Sequence, residues 1–303
     1  MIIKTPHTPI ILEYLTIVSH YSLPSMNKWL KIKYDKNSVL EKKMKKIVLF
    51  DMDGTLTEPR KKMNWEMTGS LCDLQEKGFE IGVVSGSDLD YISEQCNIIL
   101  DLNPVDWKNI HYLPCNGTKY YTAKKGKFEC QYSLDMRELL GNDKYNRVVY
   151  KLLESQRRLR FMLGGKQIPM TGTFIQYRGS MINWCPIGRD AGEKEREEFK
   201  VLDKKYGFRK SFLEWIPKNP LFEGLMFKLG GDTSIDIYPE GWDKTYSFRN
   251  FDEYDELYFI GDRCTPTGND YEAYLAAGDK GYITKGPIDT KRIIKEIISG
   301  SKK

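Results

Sequence analysis

The sequence has 303 residues and a mass of 35.3 kDa, which corresponds to two domains of ordinary size. Its hydrophobic residues (40%) and aromatic residues (13%) are numerous enough for buried cores, which excludes a disordered or fibrous protein. The net charge of +5 arises in residues 1–46, whose nine lysines and three acids give +6, whereas the remaining 257 residues carry −1. Because a nearly neutral body offers no general attraction to a phosphate backbone, we expect no nucleic-acid partner.

Cysteine, histidine and apolar patterns exclude further classes of protein. The six cysteines contain no C-x-x-C pair, which argues against a zinc ribbon or thioredoxin-type site and is typical of reduced thiols in the cytoplasm. Only three histidines occur, so acid–base chemistry is expected from carboxylates. The apolar run Pro9–Val18 contains Glu13 and is shorter than the roughly 20 residues of a membrane span. We therefore expect neither a membrane segment nor a cleaved signal peptide.

Residues 1–44 differ from the rest of the chain in composition and in hydrophobic pattern. They contain three prolines, end in a lysine-rich stretch and show no sustained hydrophobic period. This pattern predicts a peripheral extension with a short helix near Ile10–Ser19. From residue 45 onward, short apolar runs alternate with helical patterns. That alternation is typical of βα units and predicts a parallel sheet in an α/β core.

Three apolar runs are predicted as buried strands of this core, and acidic or small polar residues follow each of them. The runs are Ile47–Phe50, Phe79–Val84 and Leu257–Ile260. The residues that follow are Asp51, Ser85 with Gly86, and Gly261 with Asp262. Because the carboxyl ends of parallel strands form the ligand crevice of an open sheet, we expect the functional site there.

The region between the second and third of these strands alternates β-rich pieces with charged helical ones. The β-rich pieces are Gly172–Arg178, Met181–Cys185, Leu225–Lys228 and Ser234–Tyr238, and the helical pieces are Asn142–Arg160 and Ala191–Tyr206. The pattern predicts an α+β cap over residues 122–238. This cap is inserted into a discontinuous α/β core made of residues 45–121 and 239–303.

The segment from Asp51 to Thr57 places two carboxylates, Asp51 and Asp53, two residues apart at the end of a strand. A carboxylate can attack phosphorus and form an aspartyl-phosphate if a divalent cation offsets the repulsion between the two anions. The second carboxylate can then protonate the leaving oxygen and deprotonate the next attacking one. We therefore predict Asp51 as nucleophile and Asp53 as general acid–base, against the alternative of an ordinary surface turn.

This segment resembles motif I of the haloacid dehalogenase superfamily of phosphotransferases, and the other motifs follow in order. Ser85 best matches the motif II hydroxyl that hydrogen-bonds the transferring phosphoryl group, and Ser87 is the alternative. Lys244 matches the lysine that neutralises the aspartyl-phosphate. Gly261-Asp262 with Asn269-Asp270 matches motif IV, in which a carboxylate takes magnesium. The resemblance implies a Rossmann-like core with an inserted α+β cap.

A closer resemblance, over nearly all of residues 46–297, is to the eukaryotic-type phosphomannomutases. It is carried by Asp51-x-Asp53-Gly-Thr-Leu-Thr-x-x-Arg60, Val-Val-x-Gly-Ser-Asp88, Gly172-Thr-Phe-Ile-x-x-Arg178, Asn183-x-x-Pro-Ile-Gly-Arg189, Glu195-Arg196, Gly230-Gly-x-x-Ser234-x-Asp236, Gly241-Trp-Asp-Lys244 and Gly261-Asp262-x-x-x-Pro-x-Gly-Asn269-Asp270. The sequence departs from the family at Ser85, where the family usually has glycine, and at Cys185. It also has Ala276 near the place where the family carries an acid of a second cation loop.

The resemblance implies that cap side chains bind a phosphosugar. The implied residues are Arg60, Arg178, Arg189 and Arg196 for phosphate, and Ser234 and Asp236 for sugar hydroxyls or nearby phosphate oxygens. Arginine suits a remote phosphate because its planar fork matches phosphate oxygens and stays charged. The alternative is that these arginines pair with the acids of Glu193–Glu198 on a solvated surface.

The resemblance further implies Mg²⁺ held by Asp51, the Asp53 carbonyl and Asp262, a hexose 1,6-bisphosphate activator, and a homodimer formed through the cap. The expected reaction interconverts mannose 6-phosphate and mannose 1-phosphate in the cytoplasm, on the route to GDP-mannose. One alternative is a sugar-phosphate phosphatase or a phosphoglucomutase on the same fold. Another is a binding or regulatory protein, against which the presence of both motif I carboxylates argues.

Overall fold

The computed structural model describes residues 44–101, 109–124, 127–162, 165 and 167–300. The helix predicted near Ile10–Ser19 and nearly all of the predicted extension lie outside these residues. Within the described residues the chain forms two β-sheets, one of seven strands and one of four, and each packs against helices.

The larger sheet contains the strands predicted for the core. Its strands are β1 (Lys46–Asp51), β2 (Phe79–Val84), β3 (Ile110–Leu113), β4 (Lys119–Lys124), β5 (Lys127–Ser133), β10 (Glu256–Gly261) and β11 (Gly281–Ile283). Its helices are α1 (Trp65–Glu76), α2 (Leu89–Asp101), α7 (Tyr271–Ala276) and α8 (Pro287–Ser299), with a 3₁₀ helix at Lys244–Phe251. The strand order is β11-β10-β1-β2-β3-β4-β5, and the pairs from β11 to β3 are parallel.

Strand β1 lies inside the larger sheet, between β10 and β2. Its residues Ile47–Phe50 have no exposed surface, which explains the continuous apolar run that predicted this strand. The parallel register places Phe50 beside Val83 of β2 and Ile260 of β10. The carboxyl ends of these three strands therefore meet at one edge of the sheet.

Strands β4 and β5 form an antiparallel hairpin that extends this sheet beyond β3. Tyr112 of β3 pairs with Tyr121 of β4, and the pairing of β4 with β5 continues to Ser133. The cap boundary predicted at residue 122 falls inside β4, and because β4 and β5 belong to the larger sheet, we propose that the cap starts after Ser133. The β-rich composition of this segment does not show which sheet it joins, because strand pairing depends on contacts between residues that are distant in sequence.

The smaller sheet forms the core of the cap. Its strands are β6 (Ile175–Tyr177), β7 (Ile182–Trp184), β8 (Leu225–Gly230) and β9 (Ser234–Pro239), in the antiparallel order β6-β7-β9-β8. Its helices are α3 (Met136–Leu140), α4 (Asn142–Met162), α5 (Glu193–Tyr206) and α6 (Phe208–Trp215). Among the described helices, none is long and apolar enough to cross a membrane.

The two faces of the cap sheet have opposite chemistry because strand side chains alternate. Trp184 and Ile235 are fully buried in the apolar core beneath the cap helices. The indole N–H of Trp184 donates to Oε1 of Gln156 in α4 at 2.8 Å, which satisfies the polar atom of this large side chain. Asn183 and Asp236, which pair across β7 and β9, lie on the other face. The cap therefore presents a polar surface away from its own core.

Gly82 of β2 lies where the larger sheet has no room for a methyl group. A Cβ atom there would collide with the buried side chain of Leu49. We expect Gly82→Ala to lower the free energy of unfolding by about 1–3 kcal/mol through overpacking, as measured by urea denaturation. Gly69 of α1 is the matched control, because nothing lies within 4 Å of its Cβ position. Gly69→Ala should stabilise the chain by about 0.5–1 kcal/mol, and equal effects in the two variants would contradict this account.

Candidate active site

The chain turns sharply after β1, and this turn brings two segments of the core together. Gly54 has a φ of +84°, a left-handed conformation that favours glycine, and its N–H donates to the Thr57 carbonyl at 2.7 Å. A Cβ atom on Gly54 would collide with the carboxylate of Asp262. The missing side chain therefore lets the loop after β10 approach the turn and places Asp262 near Asp51.

Three carboxylates converge here. Asp51, Asp262 and Asp270 each offer an oxygen, and these oxygens lie within 4.8 Å of one another. Oδ1 of Asp262 and Oδ1 of Asn269 are buried and have no hydrogen-bond partner. Burial, followed by repulsion from Asp270, raises the pKa of Asp262 to about 6. Unsatisfied oxygens beside mutually repelling carboxylates fit a hard divalent cation such as Mg²⁺, and two predicted ligands, Asp51 and Asp262, belong to this group.

Lys244 supplies a buried positive charge to the same group. It begins the 3₁₀ helix, has no exposed surface, and donates from Nζ to Asp51 Oδ1 and, at 2.5 Å, to Asp270 Oδ1. Burial lowers the pKa of the Lys244 ammonium, but Asp270 and Asp51 outweigh burial and raise it above its ordinary value. Burial and the charge of Asp270 raise the pKa of Asp51 well above its usual range, against the opposing effect of Lys244. The sequence-predicted Lys244 therefore contacts the predicted nucleophile directly.

The carboxylate of Asp53 points into a different environment from that of Asp51. Its Oδ1 accepts hydrogen bonds from the backbone N–H of Arg60 and from the hydroxyl of Tyr91, each at 3.1 Å. Burial raises the pKa of Asp53, and these two hydrogen bonds oppose the shift. A carboxyl group with a raised pKa suits a proton carrier at neutral pH. Sequence reasoning did not single out Tyr91.

Both motif II candidates line the same cavity as Asp51. Ser85, at the end of β2, is buried, and its Oγ accepts a hydrogen bond from the Ser87 N–H at 3.1 Å. Because this hydroxyl accepts from the backbone, its own hydrogen remains available to a ligand oxygen. Both serines therefore lie near Asp51, and the structure leaves both as neighbours of a transferring group.

Four arginines predicted from the sequence line this cavity: Arg60, Arg178, Arg189 and Arg196. The cap guanidiniums contact neutral oxygens: Arg178 the Gly86 carbonyl at 2.6 Å, Arg189 the Asn183 amide at 2.9 Å, and Arg196 the Thr233 hydroxyl at 2.8 Å. Within the described part of the chain, none of the three forms an ion pair with the acids of Glu193–Glu198. The structure therefore disfavours the alternative of a solvated salt-bridge surface.

Like charges lie close together in this set of arginines. Burial, followed by repulsion from Arg178, lowers the pKa of Arg189. Burial, followed by repulsion from Arg60, lowers the pKa of Arg196. A partly buried cluster of cations, in which the three cap arginines contact neutral oxygens of the described residues, is suited to an anion with several oxygens.

A polar network on the open face of the cap sheet forms the floor of the cavity. Asn183 Nδ2 donates to Ser234 Oγ at 2.9 Å and to Asp236 Oδ1 at 2.6 Å. All three side chains are almost completely buried, and all three line the cavity. The predicted residues Ser234 and Asp236 are thus brought together, and Asn183 links them to Arg189.

The cavity lies between the two sheets and has a volume of about 140 Å³. It is lined on the core side by Asp51, Asp53, Arg60 and Ser85 and on the cap side by the other three arginines and the polar floor. Sites for small molecules commonly measure about 300–1,000 Å³, so this cavity is small for a phosphorylated hexose. A ligand of that size therefore requires the cap and the core to separate.

Two ion pairs of opposite polarity join the cap to the loop that carries the acidic residues. From the cap, Lys228 Nζ donates to Glu272 Oε1 at 2.6 Å and to the Pro266 carbonyl at 3.1 Å. From the core, Arg263 Nη2 donates to Asp232 Oδ1 at 2.9 Å. We call Lys228, Glu272, Arg263 and Asp232 the crossed clasp. It holds the β8–β9 hairpin against the loop between β10 and α7.

The ion pairs of Lys244 predict a pH-dependent loss of stability when this lysine is removed. In Lys244→Met, buried carboxylates lose their counter-ion, and we expect the free energy of unfolding to fall by about 3–5 kcal/mol at neutral pH in the presence of a chelator. Burial raises the folded-state pKa of Asp51, and Lys244 opposes this rise, so removing Lys244 raises that pKa further and makes the folded variant bind protons more tightly than the unaltered protein. Stability from this group is therefore present at low pH and lost as pH rises, so the deficit should be smaller at about pH 5.5 than at about pH 7.5.

Urea denaturation at both pH values measures this effect. The control is Lys280→Met, because Lys280 forms an ion pair with Glu256 at 3.6 Å near the surface. Its loss should cost less than about 1 kcal/mol at either pH. A deficit in Lys244→Met that does not depend on pH would contradict the assigned electrostatics.

Comparison with known proteins identifies the family. Residues 67–300 match the family model described as eukaryotic phosphomannomutase. The phosphomannomutase of Spinacia oleracea is 37% identical over 252 residues, which cover 83% of this chain and 95% of that protein. The phosphomannomutase of Saccharomyces cerevisiae is 34% identical over 261 residues, which cover 86% and 96% of the two chains.

A comparison of structures supports the fold. The structure of N-terminally truncated Plasmodium falciparum IMP-nucleotidase superposes with a TM-score of 0.55 at 16% sequence identity, covering 84% of this chain and 70% of that chain. The α/β fold predicted from the sequence, with a Rossmann-like core of the haloacid dehalogenase type and an inserted cap, is confirmed. This chain belongs to the eukaryotic phosphomannomutase family.

Proposed function

We propose that this chain is a phosphomannomutase that interconverts mannose 6-phosphate and mannose 1-phosphate through an aspartyl-phosphate and a hexose 1,6-bisphosphate. The observation that carries the proposal is the cavity, where the buried Asp51 and the cap arginines line opposite sides. A sugar that carries phosphate at either end needs a nucleophile for one phosphate and a cationic cradle for the other. The names of the relatives from spinach and yeast support the same reaction.

Asp51 and Asp53 divide the chemistry between them. With Asp51 phosphorylated, a hydroxyl of the hexose phosphate transfers its proton to Asp53 and attacks phosphorus, and the bond between phosphorus and Asp51 breaks. After the bisphosphate has turned around, Asp51 attacks its other phosphorus. The bond from that phosphorus to the sugar oxygen breaks, and Asp53 returns the proton to this oxygen. The raised pKa of Asp53 supports a group that alternates between these two protonation states.

The groups around Asp51 neutralise the negative charge of its carboxylate and of the phosphoryl group. The hydrogen bond from Lys244 to Asp51 offsets the negative charge that accumulates as carboxylate and phosphoryl approach. Mg²⁺ held by Asp51, Asp262 and the Asp53 carbonyl supplies further positive charge to the phosphoryl group when it is bound. Asp270 accepts hydrogen bonds from Lys244 and, at 2.9 Å, from the Arg263 N–H, so we assign it to holding this arrangement. The Ser85 hydroxyl is free to donate to a phosphoryl oxygen.

The cap arginines hold the second phosphate. Arg178, Arg189 and Arg196 converge on the cavity from β6–β7, the following loop and α5, with Arg60 opposite them on the core. Ser234 and Asp236 face the sugar ring between the two phosphates. The arginines and the polar floor of the cap lie across the cavity from Asp51. This arrangement supports a cap that covers the bound sugar phosphate and excludes water from the aspartyl-phosphate, which favours transfer to a sugar over hydrolysis.

The product mannose 1-phosphate would feed GDP-mannose synthesis. All six cysteines of the chain are described, and all are free thiols. Free thiols support a reducing compartment, and we therefore place the reaction in the cytoplasm.

One assay separates the mutase from the alternatives. We expect conversion of mannose 1-phosphate to mannose 6-phosphate to depend on added hexose 1,6-bisphosphate and on Mg²⁺, and Asp51→Asn to reduce it by at least about 10⁴-fold. A coupled assay on mannose 1-phosphate and glucose 1-phosphate, with and without the bisphosphate, measures this. The control Asp73→Asn changes an exposed carboxylate on α1 and should leave the rate unaltered.

Two results would contradict the proposal. Release of inorganic phosphate without formation of a hexose 6-phosphate would identify a phosphatase. Unchanged turnover in Asp51→Asn, with a melting temperature close to that of the unaltered chain, would remove the aspartyl-phosphate from the mechanism.

We further propose a homodimer formed through the cap. The outer side of α4 and the edge strand β6 share an apolar groove lined by Tyr145, Val149, Tyr150, Leu153 and Ile175, among others. Tyr150 is 68% exposed and Leu153 is 47% exposed, which is unusual for residues of this size. Among the described strands, β6 pairs only with β7, so its outer edge faces none of them and could accept a symmetric partner.

Charge placed in this groove should separate the subunits. Light scattering after size exclusion should give about twice 35.3 kDa for the unaltered chain and about 35.3 kDa for Tyr150→Glu/Leu153→Glu. Leu275→Glu is the control, because Leu275 is 56% exposed on the core. A monomeric unaltered chain, or a double variant that stays dimeric, would exclude this interface.

A further inference from the structure

Tyr91 lies in the first turn of α2, immediately after the motif II serines. Its backbone N–H donates to Oδ1 of Asp88 at 3.2 Å, which ties the residue to the start of the helix. Its partly buried ring packs against the hydrophobic core of the larger sheet, while its side chain also lines the cavity. The ring is therefore held by the core, and the hydroxyl is presented to the active site.

The hydroxyl of Tyr91 contacts the proton carrier of the proposed mechanism. It donates to Asp53 Oδ1 at 3.1 Å, and the backbone N–H of Arg60 donates to the same oxygen at the same distance. Rotation of the carboxylate about its Cβ–Cγ bond would break both hydrogen bonds. Asp53 Oδ2 receives neither of them, so this is the oxygen left to exchange a proton with the substrate.

The two donors to Asp53 differ in how firmly the chain holds them. The N–H of Arg60 belongs to a residue with a φ of +64°, on an exposed turn between β1 and α1. Tyr91 instead is held by its place in α2, by the packing of its ring against the hydrophobic core, and by the hydrogen bond from its backbone N–H to Asp88. The phenolic hydroxyl of a tyrosine is protonated at neutral pH and can donate this hydrogen bond. Tyr91 is therefore the more rigid of the two contacts.

We propose that Tyr91 is a positioning residue that fixes the orientation of Asp53, so that Oδ2 faces the oxygen being protonated or deprotonated. The inference rests on the proposed function, because it presupposes that Asp53 carries the proton. Its role is confined to the transfer of that proton, since Tyr91 contacts neither Asp51 nor the cap arginines by a hydrogen bond within the described residues. Loss of the hydroxyl should therefore slow the chemical step without weakening substrate binding.

The test uses Tyr91→Phe, which removes the hydroxyl and keeps the ring. With mannose 1-phosphate, bisphosphate and Mg²⁺, we expect kcat to fall about ten-fold while KM stays within about two-fold of its value in the unaltered chain. Tyr112→Phe is the matched control, because it removes a hydroxyl buried in the core of the same sheet, away from the cavity. This control should change neither constant.

A second substrate separates positioning of the acid from a general structural effect. p-Nitrophenyl phosphate releases a phenolate that is stable enough to leave without a proton, so the burst of phenolate should be equally fast in Tyr91→Phe and in the unaltered chain. Asp53→Asn should show the same selectivity with a larger loss on the sugar phosphate, about 10²–10⁴-fold.

The outcomes distinguish this inference from the proposed function. A selective loss of kcat on the sugar phosphate supports the role of Tyr91. Unchanged kcat, a higher KM at unchanged kcat, or an equal loss on both substrates overturns it. If Asp53→Asn itself keeps full turnover on the sugar phosphate, the assigned role of Asp53 fails, and the proposed mechanism fails with it.

Discussion

The ammonium of Lys244 bridges two of the three carboxylates that share a buried pocket at the end of β1, and the site depends on this interaction. Buried charges without partners cost several kcal/mol each, so Asp51 and Asp270 can be buried together only because a cation lies between them. Lys244 lies 193 residues after Asp51 and 26 residues before Asp270 in the sequence. The third carboxylate, Asp262, keeps an unsatisfied oxygen, which leaves the pocket suited to one more positive charge.

The parts of the site that could be predicted from the sequence are those fixed by local patterns. The apolar run of β1 followed by Asp51 and Asp53 predicted both the strand and the acidic turn, because burial on both faces leaves a continuous hydrophobic signature. The ends of β2 and β10 were predicted for the same reason. The family motifs then placed Lys244 and the cap arginines. The structure brings the arginines to one cavity and Lys244 into contact with Asp51, which lines that cavity.

Other features depend on contacts between distant segments, and the sequence carries no local signal for them. Strands β4 and β5 show an ordinary β-rich texture, and only their pairing with β3 assigns them to the core sheet. Tyr91 resembles any aromatic residue on a helix until its hydroxyl meets Asp53. The contact of Arg263 with the cap had a weak signal in the sequence, since a cation directly after the motif IV residue Asp262 is well placed to reach the cap. Asp270 belongs to the motif IV match, but the sequence gives no signal for its hydrogen bond with Lys244.

The crossed clasp has a consequence for how ligands influence one another. Arg263 directly follows Asp262, and Glu272 lies two residues after Asp270, so the ion pairs that hold the cap also hold the segment that carries these carboxylates. Coupling between two binding sites is reciprocal. If a cation in the acidic pocket raises the affinity for the sugar phosphate by some factor, the bound sugar phosphate raises the affinity for the cation by the same factor. Cation and sugar would thus behave as heterotropic effectors of each other through the β8–β9 hairpin, whose Ser234 and Asp236 line the cavity.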